Sequence, residues 1–175
     1  MEKTMKTALK IAAGAFAVSS LASMAHAQNV ATGTATGSVN IVRPITITNT
    51  AGLQFGKLAQ PAGAATVTVS PGGTVSLSGV GTVGTQTTSA AGFNVGGDGA
   101  AVFAINVPSG TFNMLAGTSG TILVSTSLSA ATGTLSGSTG SAGSTSFTVG
   151  GIMTLGAAQA LGAYSGTFNV TVTYN

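Results

Sequence analysis

The sequence is poor in the side chains that most enzymes use for chemistry. It contains no cysteine, no tryptophan and one histidine, and its 175 residues include only five Lys and Arg and two Asp and Glu. Beyond residue 27, the only charged side chains are those of Arg43, Lys57 and Asp98. Acid–base catalysis needs a histidine or paired carboxylates, and transition-metal sites need several His, Cys or carboxylate ligands. The sequence therefore predicts a protein that is not an enzyme, with no catalytic, cofactor-binding or metal-binding residues.

The shortage of cations also limits the partners that can be expected. A nucleic-acid surface requires many Lys and Arg side chains, and attraction to acidic membrane lipids requires a basic cluster. Neither partner is expected for this chain. Thr, Ser, Asn and Gly must instead carry solubility, and a surface with so little charge repels its own copies weakly. Self-association with copies of the same chain is therefore expected.

Residues 1–27 have the features of a secretory signal peptide. Three lysines form a basic start, a short apolar run follows over residues 11–23, and residues 25–27 (Ala-His-Ala) form an A-x-A cleavage motif. The alternative is a membrane anchor, but the run is shorter than the ~20 residues that a membrane span needs. No later stretch is long enough either. We therefore expect a secreted chain that begins at Gln28 and has no membrane span.

Short segments that alternate apolar and polar residues recur along the rest of the sequence. The clearest lies near the C-terminal end, where Phe168, Val170, Val172 and Tyr174 alternate with Thr and Asn. Turns rich in Gly, Pro and Ser separate the segments, and no segment is typical of a helix. Many short strands at this spacing predict an all-β, antiparallel sandwich or barrel. The predicted strands cover residues 40–48, 53–58, 65–70, 73–79, 92–96, 101–107, 121–128, 144–155 and 166–175. Residues 129–146 are expected to form a loop or the end of a hairpin.

Three short motifs resemble ligand or modification sites. "GVGTVG" at 79–84 matches the G-x-G-x-x-G dinucleotide fingerprint, but the residues that follow do not open a helix, so a hairpin turn with a bulge is preferred. Asp98 alone cannot supply the several oxygen ligands of Ca²⁺ and is interpreted as a turn residue. "NVT" at 169–171 is an N-glycosylation sequon, a pattern that is common by chance.

The C-terminal stretch "GAYSGTFNVTVTY" resembles the ending of archaic chaperone–usher pilin subunits, including spore-coat-protein-U-like subunits. These subunits end with alternating hydrophobic residues, a penultimate tyrosine and a glycine fourteenth from the end. In this sequence Tyr174 is penultimate and Gly162 is fourteenth from the end. "ITITNTAGLQFGKL" is similar to their A strand and the turn after it. More closely, residues 40–175 resemble a family of secreted bacterial β domains of unknown function, with "TVTVSPGGT" and "FTVGGIMTL" among the shared motifs.

The resemblance implies an antiparallel immunoglobulin-like, pilin-type sandwich that lacks its final strand. In pilins a hydrophobic groove lies open beside the C-terminal strand, and a chaperone and then the N-terminal extension of the next subunit fill it. The implied domains are an extension at 28–39, the candidate donor strand, and a sandwich at 40–175. The implied groove residues are Gly162, Phe168, Val170, Val172 and Tyr174, and the implied donor residues are Val39 and Ile41.

The function implied is that of a secreted structural surface protein, a pilus- or fimbria-like subunit that assembles by donor-strand complementation. It would reach the cell surface through the periplasm with the help of a periplasmic chaperone and an outer-membrane usher. The alternative is a self-complete sandwich whose last strand pairs within its own sheet. Such a protein would be a monomeric extracellular or periplasmic binding module, and residues 28–38 would then be a flexible leader.

Overall fold

A computed structural model describes residues 31–85, 87–117 and 120–175 of the chain. The chain divides into two compact units, Met1–Val39 and Asn40–Asn175. The predicted signal peptide lies outside the described residues, and residues 31–39 contain neither helix nor strand. In the described ranges no helix is long and apolar enough to cross a membrane. The strands of the second unit are β1 (Thr46–Ala51), β2 (Gln54–Phe55), β3 (Ala65–Val69), β4 (Val75–Ser78), β5 (Thr88–Ser89), β6 (Ala91–Asp98), β7 (Val102–Asn106), β8 (Thr111–Leu115), β9 (Thr121–Leu128), β10 (Thr132–Thr134), β11 (Ala142–Leu155) and β12 (Thr171–Tyr174).

These strands form an antiparallel β-sandwich, which confirms the predicted fold class. The larger sheet has the order β1-β6-β11-β3-β4, and in it β9 pairs with β11 and β8 with β9. The second sheet has the order β10-β7-β12, and β2 and β5 form a two-stranded ribbon. The path β1-β6-β11-β9 follows strands A, B, E and D of an immunoglobulin-like sandwich, while β7 and β12 correspond to strands C and F. Within the described residues, no strand stands beside β12 in the position of strand G.

The long strand β11 connects the two halves of the core. It pairs with β6 over Ala142–Val149 and with β3 over Gly151–Leu155. Phe147 and Val149 belong to the core cluster beneath β6 and β7, and Met153 belongs to the cluster beneath β3 and β9. One continuous strand therefore supplies side chains to both clusters and holds them in register.

The buried side chains follow the period-2 alternation of the strands. In β3, Ala65, Val67 and Val69 are buried, and in β9 Ile122 and Val124 are buried. Each fully buried apolar side chain of this size contributes about 1.5–3 kcal/mol relative to an exposed one. The alternation read from the sequence is thus the pattern that builds the core of the sandwich.

β10 is a short strand that the sequence did not predict, because residues 129–146 were expected to form a loop or a hairpin end. Gly133 of β10 pairs with Phe103 of β7, and the Phe103 ring lies where a Cβ on Gly133 would be. The Phe103 ring therefore fills the space beside Gly133, which has no side chain of its own. β11 also begins inside the expected loop, at Ala142.

Other strand boundaries also differ from the predictions. β8, over Thr111–Leu115, was not predicted at all. β1 starts at Thr46, and the preceding residues 40–45 have no ladder partners. Only Thr171–Tyr174 of the predicted last strand pairs in a ladder. "GVGTVG" does not close a hairpin; it lies beside the 57–59 segment, with a bridge between Leu58 and Thr82.

Candidate functional site: the free edge of the C-terminal strand

The free edge belongs to β12, the outermost strand of the second sheet. β12 pairs with β7 over Thr171–Tyr174, and within the described residues no strand pairs with its other side. The amide of Asn175 donates to the carbonyl of Val102 at 3.1 Å. Since backbone groups alternate sides along an antiparallel strand, the odd-numbered residues direct theirs toward β7. Val172 and Tyr174 therefore direct their N–H and C=O groups toward the open side, where another strand can pair with them.

The inward face of residues 168–174 is apolar and incompletely covered. Its four inward side chains are half-buried and pack against the second core cluster, whereas the intervening Thr and Asn residues are exposed. The Phe168 ring stacks on Phe112 with centroids 5.0 Å apart and meets the edge of Phe93 at 6.4 Å. Phe168 therefore lies among aromatic rings from both β6 and β8, although no ladder holds its backbone.

Tyr174 closes one end of this edge. Its hydroxyl accepts a hydrogen bond from the backbone N–H of Asp98 at 2.8 Å and donates one to the carbonyl of Arg43 at 2.9 Å. The hydroxyl lies where a Cβ on Gly97 would be, so glycine is required there by close approach. These contacts, which we call the Tyr174 clasp, tie the chain that leads into β1 to the end of β12.

The groove widens away from the Tyr174 clasp into two adjoining cavities. The first, of about 520 Å³, lies beside Phe93 and Phe168. The second, of about 530 Å³, is floored by Phe55 and Met153. Both are walled by the same four residues: Leu53, Gln54, Met114 and Tyr164. The two cavities therefore adjoin along the chain that precedes β12, and both polar and apolar groups line them.

The loop between β11 and β12 forms the outer wall of the second cavity. The side-chain amide of Gln60 donates to the carbonyl of Gln159 at 2.9 Å, and the Gln159 amide donates to the Tyr164 hydroxyl at 3.0 Å. Ser165 and Leu115 exchange backbone hydrogen bonds of 2.8 and 3.1 Å. These contacts fix the loop against the segment after β2 and against β8.

The structure distributes the five predicted groove residues along this edge. Gly162 lines the second cavity and Phe168 lines the first. Val170, Val172 and Tyr174 line neither cavity and pack on the core toward the closed end. The predicted set therefore follows one continuous path from the wide end of the groove to the Tyr174 clasp.

The predicted donor residues are solvent-exposed. Val39 is 85% exposed and Ile41 is 88% exposed, and Val42 beside them is also exposed. Exposed β-branched residues so close together favour pairing with a surface that can cover them. The first three residues of the candidate donor segment, 28–30, lie outside the described residues.

Asp98 is a buried charged residue that orders a turn. Asp98 is 2% exposed, and its carboxylate accepts a hydrogen bond from the Gly140 amide at 3.2 Å, which orders the turn before β11. In the part of the chain that the structure describes, no group of three or more His, Cys, Asp or Glu side chains could hold a metal ion.

Sequence reasoning missed the wall of the groove that β8 supplies. Phe112 and Met114 of β8 are half-buried, and both line the first cavity. Their alternation in "TFNML", directly after the turn at "VPSG", is a strand signal that was available in the sequence. Tyr164 was quoted only as part of a motif, and its role in the wall depends on contacts that the sequence does not display.

Comparison with known proteins assigns the chain to a family. Curated proteins and solved structures give no match to the chain. A family model matches residues 45–174, which include every strand from β1 to β12. The chain belongs to the family described as Domain of unknown function (DUF4402).

Proposed function

We propose that this protein is a secreted, non-enzymatic structural subunit of the pilus or fimbria type, which assembles by accepting a strand at the free edge of β12. The observation that carries the proposal is the incomplete second sheet. Strands corresponding to C and F are present, and within the described residues nothing pairs with β12 on the side of strand G. An added strand would complete the sandwich.

The apolar face beside that edge also supports strand addition. The inward side chains of residues 168–174 remain half-buried in the single chain, and the first cavity, of mixed polar and apolar lining, extends past Phe168. A strand with apolar residues at alternate positions would cover this face while its backbone pairs with Val172 and Tyr174. Backbone pairing supplies affinity and the alternate side chains supply specificity.

The proposed occupant is the N-terminal extension of a second copy. Residues 28–42 carry an apolar pair at alternate positions, Val39 and Ile41, and both are exposed. The surface of the chain beyond residue 27 carries few charges, so copies repel one another weakly. Both features favour association between identical chains.

The further partners follow from the pilin resemblance. Export by a signal peptide would deliver the chain to the periplasm, where a chaperone would cover the free edge until an outer-membrane usher exchanges it for the next subunit. The mature protein would then stand on the cell surface. A chaperone and an usher encoded beside this protein would support these partners.

The test places charges on one face of the extension. In the mature chain, Val39→Asp and Ile41→Asp would place two carboxylates in the apolar groove, whereas Ser38→Asp and Asn40→Asp would place the same charge on the opposite face. We expect the first variant to be monomeric and the second to retain the oligomers of the parent chain. Light scattering after size exclusion and electron microscopy measure the difference. A parent chain that is monomeric under all assembly conditions would contradict the proposal.

A monomeric binding module is the second candidate, and the cavity of about 530 Å³ beside Tyr164 favours it. In this case the parent chain and both charge variants would be equally monomeric. A ligand in the cavity would change the fluorescence of Tyr164, which can be followed in a Tyr174→Phe variant because the sequence has no tryptophan and no other tyrosine.

A further inference from the structure

The second cavity has an apolar floor. Phe55, Ile122, Met153 and Leu155 line it, and each of these side chains is at most 6% exposed. All four belong to the core cluster beneath β3 and β9. A volume of about 530 Å³ lies in the range of small-molecule sites, which combine an apolar lining with a few polar groups. The floor therefore suits an aliphatic group of a ligand.

Methionine side chains make part of this lining adaptable. Beyond residue 27 the sequence contains two methionines, Met114 and Met153, and both line the second cavity. Met114 is half-buried on β8, and Met153 is buried on β11. A methionine side chain is unbranched and flexible, so it adjusts to contacts of irregular shape. The lining can therefore pack against a flexible chain that has no fixed outline.

The rim of the second cavity is polar and carries one of the few charges of the chain. The exposed residues Gln54, Lys57 and Gln60 line it. Lys57 and Arg43 are the only cationic residues beyond residue 27, and Lys57 is the one that lines this cavity. Asp98, the only acidic residue beyond residue 27, lies in the turn before β11. An apolar floor below a cationic rim is complementary to a ligand with an apolar tail and an anionic head.

Hydrogen bonds within the chain hold the outer wall of the second cavity in place. The amide of Ala158 donates to the Pro61 carbonyl at 2.9 Å, beside the bond from Gln60 to the Gln159 carbonyl. Ala158 has a φ of 50°, a left-handed conformation that is costly for a residue with a Cβ and that surrounding contacts must maintain. The wall is thus anchored twice to the segment after β2. A pre-formed cavity of this kind lowers the ordering cost of binding.

These features together define a class of ligand. We propose that the second cavity binds a single-chain amphiphile with an anionic head, such as a fatty acid, with its tail on the apolar floor and its head beside Lys57. The proposal goes beyond strand addition, because Val172 and Tyr174 of β12 line neither cavity. A backbone bridge between Leu115 and Ser165 lies between the cavity wall and β12 along the chain. The ligand site and the strand edge therefore use different residues.

The length of the aliphatic chain tests the position of the tail. Calorimetric titration of the mature chain with octanoate and with decanoate, both kept below the concentrations at which they form micelles, compares ligands that differ by two methylene groups. Each buried methylene should tighten binding about fourfold, so decanoate should bind about 15-fold more tightly than octanoate. Equal affinities, or no binding of either ligand, would overturn the proposal.

Matched charge variants test the position of the head. Lys57→Gln should weaken the binding of decanoate about threefold, as expected for an exposed ion pair, and should leave the binding of uncharged decanol unchanged. Arg43→Gln removes the same charge from an exposed residue that does not line the cavity, so it should change the binding of neither ligand. Equal effects of the two substitutions, or an equal loss for decanoate and decanol, would overturn the proposal.

The two methionines report where the ligand lies. In the mature chain, isotope-labelled at its methionine methyl groups, saturating decanoate should shift the NMR resonances of Met114 and Met153. Decanoate that binds without shifting either resonance would lie outside the cavity and would overturn the proposal. Oligomers of a chain that does not bind decanoate would overturn this inference and leave the proposed function standing. Decanoate binding by a chain that never assembles would support this inference and contradict the proposed function.

Discussion

β3 and β12 contain nearly the same residues, Thr-Val-Thr-Val at 66–69 and Thr-Val-Thr-Tyr at 171–174, but they are buried to different extents. Val67 and Val69 of β3 are 0% and 1% exposed, whereas Val172 and Tyr174 remain half-buried. The difference lies in the neighbours. β3 pairs with β11 on one side and β4 on the other, whereas β12 pairs with β7 alone in the described residues.

This comparison shows that the alternation of apolar and polar residues identifies the apolar face of a strand. It does not identify which neighbouring strand covers that face. In β3 the chain itself supplies the second neighbour through the β3–β4 hairpin. In β12 the corresponding position is free, and the proposed second copy would supply it. Of these two similar strands, β3 therefore has a neighbour on both sides, whereas β12 has a neighbour on one side within the described residues.

Amide hydrogen exchange tests most directly whether β12 is paired on one side while β3 is paired on both. In the monomeric Val39→Asp, Ile41→Asp variant, the amide of Val172 should exchange at least about 100-fold faster than that of Thr173, because only Thr173 bonds to β7. The amides of Val67 and Thr68 should both be protected, since β3 is paired on both sides. NMR-detected exchange measures all four. Equal protection of Val172 and Thr173 in this variant would show that β12 has a second neighbour.

Matched hydroxyl substitutions test the difference in burial. Val67→Thr places a hydroxyl in a sealed core and should lower the free energy of unfolding by about 2 kcal/mol. Val172→Thr places it at a half-covered edge, where water can reach it, and should cost less than about 1 kcal/mol. Urea denaturation of monomeric protein measures both values. Similar losses at the two positions would mean that β12 is as well covered as β3.

Gly97→Ala tests the closed end of the β12 edge. The added methyl group would occupy the position of the Tyr174 hydroxyl, and the tyrosine must move, at a cost of about 1–2 kcal/mol. Gly81→Ala is the control, because nothing lies within 4 Å of a Cβ at that position. Thermal unfolding compares the two variants. A Gly97→Ala protein as stable as the control would contradict the placement of the tyrosine.

The smallest expected effect separates the two tyrosines. Tyr174→Phe removes hydrogen bonds to groups 76 and 131 residues away in the sequence and should cost about 1 kcal/mol. Tyr164→Phe removes bonds to partners only four and five residues away, within one loop, and should cost less than about 0.5 kcal/mol. Both values can be read from denaturant midpoints. Equal losses in the free energy of unfolding would mean that the Tyr174 clasp stabilises the protein no more than the local hydrogen bonds of Tyr164 do.

Local alternation made much of the fold predictable. β3 and β9 were placed within a residue of their observed bounds, because their apolar residues alternate without interruption and turn residues flank them. β10 could not be found in the same way, since the Phe103 ring of another strand covers Gly133 in place of a side chain. A contact between side chains of different strands cannot be read from the alternation within one strand.

The inward face of β12 could be predicted from the sequence, whereas the walls of the cavities could not. The spacing of Phe168, Val170, Val172 and Tyr174 revealed the inward face before the fold was known. The wide end of the groove depends on a contact between Gln60 and Gln159, which lie 99 residues apart. No periodicity links two such positions, so the cavity became visible only in the folded chain.

The Tyr174 clasp also has a consequence for the order of folding. It joins Arg43 to a residue 131 positions later, and β12 pairs with a strand whose residues were synthesised long before it. Contacts of such long range slow folding, because the chain must pay a large loop-closure entropy before they form. The sandwich therefore cannot close behind the ribosome as it emerges. It must wait until residue 174 is available, and until then the sandwich remains unclosed.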